Sequence, residues 1–139
     1  MRRIALMLLT LCLALPAAAE RKQSFGEMDV HYIAFNSSFL QPDIAAAVGL
    51  VRSKSLGVLN IAVQYAGKPV SARVQGSVSD LLGKRTHLEF KQVKEDDAVY
   101  YLAQYPISTQ EILKFSLDVQ GPTGPTQQLN FTQEVFPDL

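Results

Sequence analysis

Apolar and polar residues alternate strictly through Val70, Ala72, Val74, Gly76 and Val78, interleaved with Ser71, Arg73, Gln75, Ser77 and Ser79. A period of two sends successive side chains to opposite sides of an extended backbone, so only a sheet with one buried face satisfies it. The same period runs through Leu59, Ile61, Val63 and Tyr65, through Leu88 and Phe90, and through Leu113, Phe115, Leu117 and Val119. It returns at Leu129, Phe131 and Val135. Turn-forming residues separate the runs: Ala66-Gly67-Lys68-Pro69, Leu82-Gly83-Lys84, Lys94-Glu95-Asp96-Asp97 and Gly121-Pro122-Thr123-Gly124-Pro125. About seven short strands with polar turns predict an all-β chain folded as an immunoglobulin-like antiparallel β-sandwich. The immunoglobulin hallmarks themselves are missing, since the chain has no Trp and one Cys, and Phe115 stands where a corner tyrosine would be expected. Two stretches are apolar on both sides, as strands covered twice would be. In one, Ile33 and Phe35 oppose Met28, Val30, Tyr32 and Ala34; the other is Val99 to Ala103. One short helix fits, with Pro42 in its first turn, Asp43 beside it, Ile44 to Val48 as its body and Gly49 as its stop.

Ahead of these runs stands a segment of another kind. Arg2 and Arg3 precede an apolar run from Ile4 to Leu15, Pro16 ends it, and Ala17-Ala18-Ala19 supplies small residues before Glu20. That order is the order of a secretory signal peptide. The run is too short to span a ~30 Å hydrocarbon core, which predicts cleavage and no retained membrane anchor. Residues 1–19 are therefore expected to be removed, leaving residues 20–139 as a single domain. Cys12, the only cysteine, would leave with them. A cysteine-free domain in an oxidising compartment has no disulfide and depends on its core alone. Losing Arg2 and Arg3 leaves 11 basic against 13 acidic residues. That near-balance argues against a nucleic-acid partner held by bulk charge.

Three blocks carry a resemblance: His31 to Ile44, Gly49 to Val63, and Val99 to Ala103. Together they resemble a family of small exported proteobacterial proteins known only as a domain of unknown function. The resemblance implies a periplasmic setting in a gram-negative cell and brings no activity or ligand with it. From Gly67-Lys68-Pro69-Val70 to Val119 the pattern of strands and turns also resembles sandwich modules of cytochrome-oxidase and copper accessory proteins.

Candidate chemistry is sparse. Asp29 and His31 share one side of a strand and could form two ligands of a metal site, and His87 could join only through the fold. With no mature cysteine, and with Met28 on an apolar face, the sequence implies no metal and no cofactor. Ser37, Ser38, Ser53 and Ser55 lie outside any Gly-x-Ser-x-Gly elbow, and Glu95, Asp96 and Asp97 are adjacent as in a solvated turn. No catalytic residue is assigned and no enzyme is expected. Two segments remain as candidate binding sites. Arg52, Ser53 and Lys54, framed by Gly49 and Gly57, could cradle a small anionic ligand. Ile33 and Phe35 put two large apolar groups on an outer face, where they are either covered by the Pro42–Val48 helix through Ile44 and Val48 or used as a partner surface. The leading expectation is a periplasmic, non-enzymatic binding or accessory module contacting a protein partner, with the Arg52–Lys54 anion site as the alternative.

The export reading has a direct check. N-terminal sequencing of the periplasmic protein should begin at Glu20, whereas an uncut chain retained in the inner membrane would refute it.

Overall fold

The alternating runs form strands, and their apolar sides face one another across the space between two sheets. The computed structural model describes residues 21–137; residues 1–19, where the sequence predicts a signal peptide, lie outside them. Among the described residues ten strands are present: β1 (Arg21–Phe25), β2 (Met28–Asn36), β3 (Leu56–Tyr65), β4 (Lys68–Pro69), β5 (Arg73–Ser79), β6 (Arg85–Leu88), β7 (Lys91–Glu95), β8 (Ala98–Pro106), β9 (Glu111–Gln120) and β10 (Gln127–Val135). One sheet has the order β1-β2-β3-β8-β7, with β4 added to the end of β3, and the other has the order β10-β9-β5-β6. All pairings are antiparallel. The expected all-β sandwich is therefore the observed architecture.

The strand count exceeds about seven for readable reasons. β1, with the sequence Arg21-Lys22-Gln23-Ser24-Phe25, is exposed along nearly its whole length and so carries no apolar alternation. β4 is only two residues long. The run around Leu88 and Phe90 divides between sheets: β6 pairs with β5, while β7 pairs with β8.

Val30, Leu59, Ile61, Val63, Leu117 and Val119 are buried in the core, and four aromatic rings tie the sheets together. Tyr32 stacks on Phe131 at 4.4 Å between centroids, and Phe131 stacks on Phe115 at 4.8 Å. Tyr105 meets Phe115 edge-on at 5.1 Å. Tyr32 and Tyr105 come from the larger sheet, Phe131 and Phe115 from the smaller.

The helix α1 (Pro42–Val48) ends at Gly49, whose φ of 73° is the left-handed cap that glycine adopts without strain. Its buried residue is Ala45, followed by buried Leu50 just past the cap, whereas Ile44 is 48% exposed. Of the two residues named as a possible lid, Val48 is half-buried and Ile44 is not, and the helix turns Ala45 inward.

Within β5, Gly76 lies opposite Leu117 of β9. A Cβ there would run into the Ser116 carbonyl and the Leu117 side chain. Backbone cannot step aside as a flexible side chain can, so Gly76→Ala is expected to cost about 2 kcal/mol or more. Thermal unfolding would show it, and a variant melting with the wild type would show that the two strands can part without cost.

Candidate functional site

The outer face of the larger sheet follows from the β2 register. Met28, Val30 and Tyr32 face the core, so Ile33 and Phe35 turn outward, as their spacing predicts, and both are half-buried. Phe35 lies beside Val58, which in turn lies beside Gln104; Ile33 lies beside Asn60. Val58 is fully buried although it alternates with the core residue Leu59. The segment after α1 is strapped to this face. The Gln104 side chain accepts from the Val51 N–H at 3.0 Å and donates to the Val51 carbonyl at 2.7 Å. Lys91 Nζ donates to the Gly49 carbonyl at 2.8 Å. Ala45 and Leu50, on either side of the helix cap, are both buried.

Phe35 has a second set of neighbours. Where β2 ends beside the end of β10, Ala34, Phe35, Phe39, Tyr105, Val135 and Phe136 line an open cleft of about 270 Å³. Asn36 Nδ2 donates to the Phe136 carbonyl at 2.7 Å and so fixes the C-terminal segment against the end of β2. Phe39 is 71% exposed and Phe136 50% exposed. Burial pushes the Tyr105 hydroxyl above the ordinary phenol range, so this group stays neutral. The partner-surface pair is therefore split: Phe35 belongs to the cleft and Ile33 does not line it. Phe39 and Phe136 escaped the sequence reading because each stands outside a strand, where no period marks its direction. The available signal was a large aromatic residue just past the end of a strand.

The loop carrying Arg52, Ser53 and Lys54 is built on Ser37, which is fully buried. Ser37 Oγ donates to the Ser53 carbonyl and accepts from the Ser53 N–H, both at 2.9 Å. Ser53 Oγ accepts from the Ser55 N–H and shares a hydrogen bond with Ser55 Oγ, both at 3.1 Å. Arg52 Nη2 donates to the Ser38 carbonyl at 3.3 Å. Arg52 and Lys54 are both exposed, and the N–H groups of Ser53 and Ser55 are turned onto the chain itself.

The two histidines are not brought together. His31 is on the outer face of the larger sheet, and His87 lies opposite Ser77 in the smaller one. Asp29 Oδ1 accepts from Ser24 Oγ at 2.6 Å. Met28 is buried in the core. Among the described residues no three potential metal ligands gather, and no helix is long and apolar enough to cross a membrane.

Comparison with known proteins adds a family and a fold. The family Domain of unknown function (DUF4426) matches residues 22–138. The crystal structure of a DUF4426 family protein from Pseudomonas aeruginosa is 53% identical, covers 86% of this chain and 97% of its own, and superposes with a TM-score of 0.80. FetP of a uropathogenic Escherichia coli strain, recombinantly expressed in the periplasm, is 11% identical over 86% of this chain and 95% of its own, with a TM-score of 0.63. A copper-bound variant of FetP is 12% identical over 86% and 91%, with a TM-score of 0.64. At that identity the FetP structures share the fold alone. They bear out the likeness of the strand pattern to copper-associated sandwiches. No curated protein matches the chain.

Ser37 is the residue on which the outer loop depends. Ser37→Ala would leave the half-buried Ser53 N–H and carbonyl without this partner, at a cost of about 1 kcal/mol. Hydrogen exchange should speed up at Ser53 and Ser55 while the β9 amides stay protected, and unchanged loop exchange would count against this role.

Proposed function

The chain belongs to the DUF4426 family, and from that premise we propose that it is a non-enzymatic accessory module of the periplasm that holds a protein partner in the cleft between the ends of β2 and β10. The observation that supports this reading is the convergence of Phe35, Phe39 and Phe136 on one open cleft, two of the rings being half or more exposed. Apolar surface left in water carries a cost of about 25 cal/mol per Å², which a partner covering it would recover. Aromatic anchors in such a recess are where binding energy concentrates at protein interfaces. Asn36, Gln133 and Glu134 provide a polar rim around the apolar floor.

The leader read in residues 1–19 supports the compartment, and the periplasmic expression of FetP is compatible with it. The Arg52–Lys54 loop directs its backbone donors onto its own chain, so the contact is assigned to the cleft instead. What carries over from the copper-bound FetP variant, 12% identical, is the sandwich alone.

Capture from periplasmic extract, with wild type and Phe39→Asp compared side by side, tests the proposal. Phe39 is so exposed that the substitution should barely move the melting temperature. Loss of an aromatic anchor removes about 2 kcal/mol or more of binding, roughly a thirtyfold drop in retention of the partner. Retention that is equal for both proteins would refute the assignment of the cleft.

A further inference from the structure

β2 is longer than the strand that covers it. β1 pairs with β2 from Phe25 opposite Met28 to Arg21 opposite Tyr32. On its other side β2 continues to pair with β3, from Ile33 opposite Asn60 to Asn36 opposite Gly57. Among the described residues, no strand lies against the β1 side of Ile33–Asn36. In an antiparallel ladder alternate residues turn both N–H and C=O to the same side, so this stretch presents main-chain donors and acceptors at an edge. Native sheets blunt such edges with charge or proline. Ile33, Ala34, Phe35 and Asn36 include neither.

The edge opens onto the cleft. Arg21 Nη2 donates to the Thr132 carbonyl of β10 at 3.3 Å and to Gln133 Oε1 at 3.0 Å. Its guanidinium lies 4.9 Å from the Tyr32 ring centroid and 5.0 Å from that of Phe131. The side of the sandwich is closed at that level, and immediately beyond it the Ala34–Phe136 cleft begins. Counting on from the β1 register, the positions opposite Ile33, Ala34, Phe35 and Asn36 fall to residues 20, 19, 18 and 17. Cleavage before Glu20 would leave the mature chain one residue for four positions.

We infer that the partner binds by strand addition, an extended segment of the partner protein pairing with β2 along Ile33–Asn36 as a continuation of β1. This inference rests on the cleft reading above. Residues directly opposite across a ladder share a face, so the partner residue facing Ala34 points into the cleft. The small Ala34 side chain and the space beside it call for a large apolar residue at that position. The neighbouring partner residues, opposite Ile33 and Phe35, lie on the outer face and favour β-branched or aromatic side chains. Main-chain pairing supplies affinity in this mode, and the pocket for one alternate side chain supplies specificity.

The test occupies the edge without filling the cleft. One protein begins at Glu20; a second begins at Ala17 and carries Ala18→Val, which favours a strand on the outer face while Ala19 stays small opposite Ala34. Exchange of the amides in Ile33–Asn36 that turn to the edge is expected to slow by about tenfold or more in the longer protein, and partner capture is expected to fall with it. Unchanged exchange would show that the edge accepts no strand, and slowed exchange with full capture would show that the partner does not use it; either result overturns the proposal. The two readings fail separately. Capture lost in Phe39→Asp but kept in the edge-protected protein removes strand addition and retains the cleft, whereas the reverse removes the cleft and retains the edge.

Discussion

The aromatic column Tyr32–Phe131–Phe115–Tyr105 is the contact on which the sandwich depends. With no cysteine among the described residues, no disulfide joins the sheets there. Two rings from each sheet, stacked at 4.4 and 4.8 Å and met edge-on at 5.1 Å, couple them through the core. Each such pair contributes about 0.5–1.5 kcal/mol beyond the apolar area it buries. The column also fixes the relative position of β2 and β10, because Tyr32 belongs to one and Phe131 to the other.

That placement creates the candidate site. Arg21 covers the exposed side of the Tyr32–Phe131 stack, its charge held over the two rings and its donors spent on β10. A cation kept at the margin seals the sandwich without entering its core. Past Arg21 neither sheet has a further strand to offer among the described residues, so the ends of β2 and β10 face each other across the cleft. Edge and cleft are thus two aspects of one geometry, in which β1 stops short while β2 continues.

The segment between β2 and β3 has a separate role. Ser37 anchors it to Ser53, Gln104 replaces a strand partner for Val51, and Lys91 holds the helix cap. These side-chain hydrogen bonds stand in for a ladder the segment does not form, and they hold it against the outer face. The larger sheet is consequently covered on part of its outer face as well. That explains why β2 and β8 carry apolar residues on both sides while β9, whose outer residues meet solvent, alternates cleanly.

Where one face was dry and the other wet, the sequence by itself determined the outcome. Leu113, Phe115, Leu117 and Val119 alternate in the chain and are buried in the fold. The direction of Ile33 and Phe35 was legible for the same reason, as was the helix bounded by Pro42 and Gly49. β1 was not legible, because an edge strand exposed on nearly every residue needs no apolar period. Nor was the rotation of α1, since a seven-residue helix can present Ala45 or Ile44 inward and only the surface beneath it chooses. The cleft was decided by the tertiary structure alone. Phe35, Phe39 and Phe136 come from the end of one strand, a turn and a C-terminal segment, and no local pattern relates them. Side-chain period is a property of a single strand, whereas the meeting of two strand ends depends on how whole sheets pack.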